Sequence, residues 1–246
     1  MLNLNKVYRK DYTGEDIIVE RVHENHVWKD TTETVTNAIV NNQISNRAVV
    51  IGNGPTRLDF DMKALKHASG LLGATTIQTY GCNALYRDFT PDFLVVQGSN
   101  DFIREIALSN YPYTNIIYTN AIHLLEYPNK FYLIPHDPYA DSGTTAAYLA
   151  AFDGHKKIYL LGFDGHDTPG TNSNIYADTN GYDPSTVDDL SSDKWIENRA
   201  RLFSVYYDVD WVWVTPAGRS TVPDALKPFS NFRQISFRDF VLEADL

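Results

Sequence analysis

The 246-residue sequence contains a single cysteine, Cys82, so it can form neither an internal disulfide nor a cysteine-based zinc site. Its apolar runs are short: the longest, such as residues 93–96 and 158–161, fall far below the roughly 20 residues that a membrane span needs. The start of the chain lacks the apolar run of a signal peptide. These three absences predict a soluble, cytoplasmic protein.

Basic residues are also scarce. The chain has 21 lysines and arginines against 31 aspartates and glutamates, which gives a formal net charge of -10. Non-specific binding to nucleic acid needs clustered lysine and arginine, so nucleic acid is not an expected partner. A small charged ligand held by backbone N–H groups is still compatible with this charge balance. Hydrophobic residues make up 43% of the chain, which is too apolar for disorder and allows a sizeable core.

The first 45 residues differ from the rest. Residues 1–45 predict an N-terminal arm made of a short hairpin, with strand-like pieces at 17–19 and 26–28, followed by a helix over 31–44. The arm carries no recognisable chemistry. We expect it to pack against the main domain or to dock an oligomer partner.

From residue 46 to 246, short and fully apolar runs alternate with helical segments. Continuous hydrophobicity is typical of strands that are covered on both faces, as in a parallel α/β sheet. We therefore predict a Rossmann-like, mostly parallel, doubly wound sheet with helices on both faces, which binds its ligand beyond the carboxyl ends of the strands. The predicted strands are 48–51, 75–77, 93–96, 116–118, 131–134, 158–161 and 211–214, and the predicted helices are 62–67, 102–109, 144–152 and 193–207, with a short strand and helix near the end.

A glycine turn follows the first strand of this domain, in the run Ile51-Gly52-Asn53-Gly54-Pro55-Thr56. Glycine lets the backbone approach a ligand closely, and exposed N–H groups in such a turn suit a phosphate or a nucleoside. The run is not a dinucleotide fingerprint, because Arg57 stands at the third glycine position and no acidic residue ends the next strand. NAD is therefore excluded. A tight turn without a ligand is the alternative.

Two asparagines follow the next strands. Asn83 closes the run Gly81-Cys82-Asn83, and its amide can both donate to and accept from a base or sugar edge. Ser99 and Asn100 precede a predicted helix. One of the two is expected to cap that helix, and the other to face the cleft.

The run Asp141-Ser142-Gly143-Thr144-Thr145 opens a helix rich in small residues. The free N–H groups and the positive dipole end of such a helix start form an anion site at the carboxyl edge of the sheet. A plain N-cap formed by Ser142 or Asp141 is the alternative.

A long, polar, turn-rich loop covers residues 162–192, and loops of this length are usually functional lids or disordered. Seven aspartates and no lysine or arginine lie between Ile158 and Asp193 inclusive. If a phosphate binds beside this loop, the negative charge of the aspartates must be neutralised. Protonated His166 can do so, or a divalent cation such as Mg²⁺ can bridge a carboxylate such as Asp164 to a diphosphate. A solvated acidic loop is the alternative, and no dedicated metal-ligand set is predicted.

Taken together, the runs 51–56, 81–83 and 141–143, leading into 157–164, resemble the bacterial lipooligosaccharide sialyltransferases. They also resemble a related domain whose characterised members are 6-hydroxymethylpterin diphosphokinases, to which residues 91–96 are similar in particular. The resemblance covers about residues 47–178. It implies a glycosyltransferase that takes a nucleotide-activated sugar, with a CMP-type donor, to a hydroxyl-bearing acceptor glycan. The alternatives are an ATP- and Mg²⁺-dependent diphosphokinase-like enzyme and a non-catalytic virion or surface-assembly module.

The resemblance also implies residue roles. In the sialyltransferases the matching positions hold CMP, and two tyrosines after the Gly-x-Asp strand end hold the donor phosphate; here His166 occupies the first of these positions and Tyr176 matches the second. The family's catalytic histidine lies further downstream, where this chain has none, so His166 or His136 is the candidate base. We therefore predict His166 as the catalytic residue. The predicted ligand-binding residues are Gly52, Asn53, Gly54, Thr56, Asn83, Asn100, Ser142, Gly143, Thr144, Asp164 and Tyr176.

Overall fold

A computed structural model describes residues 2–10, 16–24, 27–36, 46–68, 77–109, 111, 116–127, 130–134, 138–164, 174–182, 192–218 and 221–246. Its strands are β1 (Leu2–Lys10), β2 (Asp16–Glu24), β3 (Val27–Thr36), β4 (Arg47–Ile51), β5 (Gln78–Cys82), β6 (Phe93–Val96), β7 (Ile116–Thr119), β8 (Tyr132–Leu133), β9 (Lys157–Leu161), β10 (Asp210–Thr215) and β11 (Phe232–Ser236). Its helices are α1 (Lys63–Ala68), α2 (Asn100–Leu108), α3 (Ala121–Glu126), α4 (Ser142–Phe152), α5 (Ser192–Val205) and α6 (Phe237–Ala244), with 3-10 helices at Pro55–Asp59 and Asn83–Arg87.

Eight parallel strands form the body of the sheet, in the order β11-β10-β9-β4-β5-β6-β7-β8. The side chains of β4, β5, β6, β9 and β10 are almost all buried, because they alternate between two hydrophobic cores, one on each face of the sheet. This confirms the predicted Rossmann-like α/β fold. None of the helices in the described ranges has both the length and the apolar character that crossing a bilayer requires.

The N-terminal strands lengthen this sheet. Strand β1 runs parallel to β8, with Val7 opposite Leu133, and β2 and β3 follow in antiparallel order. The predicted hairpin is therefore present, but the helix predicted over 31–44 is wrong at its start, because β3 continues to Thr36. Valine and threonine recur through β3, and these β-branched residues favour extended backbone. Residues 37–45 lie outside the described ranges.

Three further expectations differ from the structure. Strand β5 begins at Gln78, after the predicted 75–77, and of that range residues 75 and 76 lie outside the described ones. Helix α3 was not predicted. The helix predicted over 193–207 ends earlier than expected, because α5 stops at Val205 and Tyr207 is 79% exposed.

Candidate nucleotide crevice

The predicted motifs gather at one edge of the sheet. Strands β9, β4, β5 and β6 are neighbours and run parallel, so their carboxyl ends lie side by side. The polar runs that begin at Gly162, Gly52, Asn83 and Gln97 directly follow these four ends. This edge is where doubly wound sheets bind their ligands.

The glycine turn after β4 packs against the turn after β9. The N–H of Gly52 donates to the Leu161 carbonyl at 2.8 Å, and the N–H of Gly54 donates to the Gly162 carbonyl at 2.9 Å. A Cβ on Gly52 would come within 2.4 Å of the Gly162 oxygen. The expectation that these N–H groups are exposed for a phosphate is therefore wrong: here glycine permits two neighbouring turns to touch.

Thr56 and Asp164, both predicted to bind a ligand, bind each other. One carboxylate oxygen of Asp164 accepts from the Thr56 N–H at 2.6 Å, and the other accepts from Thr56 Oγ1 at 2.5 Å. Asp164 thus holds the start of the 3-10 helix Pro55–Asp59, much as an N-cap does. Within the ranges that the structure describes, no group of three or more His, Cys, Asp or Glu side chains is arranged to hold a metal ion.

Helix α4 begins at the same edge. Asp141 is its N-cap, and its carboxylate accepts from the Thr144 N–H at 2.9 Å and from Thr144 Oγ1 at 2.7 Å. Thr144 is buried by this cap. The N–H groups of Ser142 and Gly143 make no hydrogen bond with any described residue, so they are the two donors that the helix start leaves open. A Cβ on Gly143 would lie 3.5 Å from the Phe163 ring, which puts this helix start against the end of β9.

A buried arginine, which the sequence analysis missed, lies beside this helix start. Arg199 of α5 donates to the Phe163 carbonyl at 3.0 Å, and its guanidinium carbon lies 5.1 Å from the centre of the Phe163 ring. Burial lowers the pKa of Arg199, while the charges of Asp141 and Asp164 act in the opposite direction. The guanidinium therefore offsets both carboxylates. Arg199 lies within the helix predicted over 193–207, where no motif marked it as a site residue.

Asn53 and Asn83 both lie close to the side chain of Tyr182. Asn53 Nδ2 donates to the Cys82 carbonyl at 3.3 Å and to the Tyr182 hydroxyl at 3.1 Å. Asn83, in the left-handed region at φ 45°, accepts from the Gln97 N–H at 3.0 Å through Oδ1. Burial raises the pKa of Tyr182, and the nearby amide side chains of Asn174, Asn83 and Asn53 oppose that rise. We call the region around Asn53, Asn83 and Tyr182 the crevice.

Tyr182 was not predicted as a site residue. Its signal was its place in the same loop as Tyr176, since the sialyltransferase resemblance implies two tyrosines there. Tyr176 itself is only 7% exposed. Its hydroxyl accepts from Arg57 Nη2 at 2.7 Å and donates to Asp88 Oδ1 at 2.6 Å, so both of its hydrogen-bonding functions are used within the chain.

The remaining predicted residues are distributed as follows. Ser99 caps α2 by accepting from the Asp101 N–H at 3.2 Å. Asn100 is the first residue of that helix; it is exposed and makes no side-chain hydrogen bond to another described residue. His166 and His136 lie outside the described residues, so the catalytic assignment stays a prediction.

Comparison with solved structures shows a fold likeness. The monofunctional α-2,3-sialyltransferase Cst-I from Campylobacter jejuni aligns with a TM-score of 0.50 and 16% identity, over 72% of this chain and 78% of that one. A variant of the sialyltransferase CST-II in complex with CMP gives a TM-score of 0.47 and 15% identity, over 81% of this chain and 98% of that one. CstII from Campylobacter jejuni in complex with cytidine-5'-monophosphate, a substrate analogue, gives 0.39 and 15%, over 75% and 99%. No protein-family profile and no curated protein sequence matches the chain. At this identity, the Cst-I likeness establishes the α/β fold alone.

Proposed function

We propose that the chain is a nucleotide-sugar-dependent glycosyltransferase of the sialyltransferase type, which binds a CMP-sugar at the crevice and transfers the sugar to a hydroxyl acceptor. The observation that carries this proposal is the convergence of Asn53 and Asn83. The two side chains come from the ends of neighbouring strands. Asn53 hydrogen-bonds the Tyr182 hydroxyl, and Asn83 lies close enough to lower the pKa of Tyr182. An amide pair of this kind recognises a group that donates and accepts, such as a ribose hydroxyl or a base edge. Motif similarity and the fold shared with Cst-I support the same reading.

The phosphate of the donor is assigned to the start of α4. The N–H groups of Ser142 and Gly143 supply donors, and the helix dipole favours negative charge there. Arg199 adds a buried positive charge behind Phe163, so the local field is less negative than the aspartates alone would make it. Arg199 thus offsets two of the carboxylates at this site, those of Asp141 and Asp164.

The proposed reaction is a displacement at the anomeric carbon of the sugar. The acceptor oxygen forms a bond to that carbon while the bond from the carbon to the phosphate oxygen breaks, and CMP leaves with the bonding electron pair. The acceptor proton goes to a base, which we assign to His166 because imidazole titrates near neutral pH. The helix-start donors stabilise the charge that develops on the leaving phosphate.

Nucleotide binding tests the proposal first. We expect CMP to raise the melting temperature and UMP, GMP, AMP and ATP with Mg²⁺ to raise it less, because a ligand that binds the native state stabilises it. Titration calorimetry on Asn53→Ala and Asn83→Ala should show CMP affinity reduced about tenfold or more, since each loses a polar contact. Asn46→Ala is the matched control: Asn46 directly precedes β4, at the opposite end from Asn53, and is exposed.

Catalysis is tested by release of CMP from CMP-sialic acid in the presence of hydroxyl-bearing acceptor glycans. Activity that falls at least 100-fold in His166→Ala while CMP affinity is unchanged supports the base assignment. Stabilisation by ATP only with Mg²⁺ favours the diphosphokinase-like enzyme instead. A chain that no nucleotide stabilises contradicts the proposed function and leaves a non-catalytic module.

A further inference from the structure

Residues 174–182, which we call the lid segment, lie over the crevice. The Ile175 N–H donates to the Asn53 carbonyl at 2.9 Å, so the segment touches the glycine turn through its backbone. Tyr176 is fixed between Arg57 and Asp88, and both Tyr176 and Arg57 are buried. The first part of the lid segment is therefore anchored in the hydrophobic core.

The second part is held by Arg87 and by its ion-pair partner Glu105. Arg87 Nη1 donates to Thr179 Oγ1 at 2.8 Å, and Arg87 Nη2 donates to the Asn180 carbonyl at 2.8 Å. The same guanidinium pairs with Glu105, which also accepts from Asn180 Nδ2 at 2.6 Å. Thr179 and Asn180 are exposed, so these contacts compete with water in a way that the Tyr176 anchor does not.

The lid segment ends with Tyr182 in the crevice. Its ring lies 4.9 Å from that of Phe102 and parallel to that of Tyr176, at 6.4 Å between centroids. Its hydroxyl satisfies Asn53 Nδ2, but Asn53 Oδ1 and Gln97 Oε1 are buried without a hydrogen-bond partner in the part of the chain that is described. Buried acceptors without donors are costly, so the closed arrangement is incompletely satisfied. A ligand that brings N–H or O–H donors, as a nucleoside does, supplies what Tyr182 lacks.

We propose that the lid segment is an autoinhibitory closure, in which Tyr182 occupies the position of the nucleotide and must leave before a ligand enters. When the hydrogen bonds from Arg87 to Thr179 and Asn180 break, residues 179–182 move away from the crevice, while Tyr176 stays buried. The identity of the ligand rests on the proposed function, whereas the closure itself does not. The closure weakens the apparent affinity for the ligand, because only open molecules bind it. The measured Kd equals the intrinsic Kd divided by the fraction of molecules that are open.

Hydrogen exchange on the ligand-free protein tests the closure. We expect peptides covering 177–182 to exchange faster than α4, and Arg87→Ala to speed their exchange about tenfold with α4 unchanged, because charge-assisted bonds to the lid are lost. Arg233→Ala is the control, since Arg233 is also an ion-paired arginine but lies on β11, away from the lid segment. Lid peptides that exchange only with global unfolding, equally in both variants, overturn the proposal.

CMP titration then tests the role of Tyr182. Arg87→Ala and Tyr182→Ala should bind CMP about five- to tenfold more tightly than the unmodified chain, because both favour the open state. Weaker binding by Tyr182→Ala overturns the closure, since the tyrosine is then a ligand contact. If exchange shows that Arg87→Ala opens the lid and still no nucleotide binds, the closure is supported and the proposed function fails.

Discussion

Tyr80, on strand β5 of the sheet, contacts Asp153 at the C-terminal end of helix α4, whose N-terminus lies at the crevice. The Tyr80 hydroxyl, on β5, donates to Asp153 Oδ2 at 2.6 Å, and Asp153 is the C-cap of α4. His155 Nε2 lies 3.1 Å from the same hydroxyl. All three side chains are buried, so this contact fixes α4, whose other end carries Ser142 and Gly143.

Replacing Tyr80 by Phe removes that hydroxyl and keeps the ring. We expect a loss of about 2 kcal/mol in the free energy of unfolding, because a buried carboxylate loses a short hydrogen bond in a low-dielectric core. Urea denaturation measures it, with an unchanged m-value. Tyr207→Phe is the control on an exposed tyrosine and should change stability by less than about 0.5 kcal/mol. Equal effects of the two substitutions would contradict a role for the buried contact.

Adding a methyl group to Gly52 tests the contact between the two glycine turns. The new Cβ would meet the Gly162 carbonyl at 2.4 Å, so Gly52→Ala should cost about 3 kcal/mol through forced backbone movement. Gly218→Ala is the comparison, since its Cβ meets nothing within 4 Å and only its φ of 73° is unfavourable, at about 1 kcal/mol. Thermal denaturation ranks the two variants. A Gly52→Ala protein as stable as Gly218→Ala would show that the turns are not in contact.

A cluster of charged side chains lies at the amino ends of the strands, opposite the crevice. It predicts that the folded protein loses stability in acid. Hydrogen bonds from Arg233 lower the pKa of Glu243 to about 2 from the ordinary 4.5, and bonds from Lys157 and Tyr159 add to the effect, although burial opposes it. Because the pKa is lower in the folded state, the stabilisation is fully present above about pH 5 and disappears as pH falls towards 2.

Glu243→Gln should therefore lower stability by about 2 kcal/mol at pH 7 and by little at pH 2.5. The free energy of unfolding measured across this pH range checks the prediction. Asp224→Asn is the control, because Asp224 pairs with Lys227 while fully exposed and should change nothing measurable. A difference between the parent and Glu243→Gln that does not vary with pH would contradict it.

The parallel core was predictable because its strands are buried on both faces. Strands β4, β6 and β9 begin within one residue of their predicted starts, since an uninterrupted apolar run identifies a doubly covered strand. Strand β3 has no such run, and its residues 31–36 were predicted as the start of a helix. Local pattern therefore identified the body of the sheet and the hairpin of the arm, but it failed at residues 31–36, where pairing with β2 decides the structure.

The position of the crevice was also predictable, but its chemistry was not. Topology alone brings the ends of β4, β5 and β9 together, and so predicts that Asn53 and Asn83 lie near each other. The partner of Asn53 is Tyr182, 129 residues away, and the turn at Gly52 is shaped by Gly162. Contacts at such separations depend on how loops pack, and no short sequence pattern records them.

Two aspartates of the loop over residues 162–192, Asp164 and Asp178, differ in their contacts. Asp164 accepts two hydrogen bonds from Thr56, whereas Asp178 is exposed. Asp164→Asn should cost about 1–2 kcal/mol of stability and weaken CMP binding about tenfold, because the turn that carries Asn53 loses its cap. Asp178→Asn removes the same charge and should change both quantities little. Chemical denaturation and titration calorimetry separate the two cases, and equal effects would mean that the loop acts through its charge alone, with no structural role for the Thr56 contact.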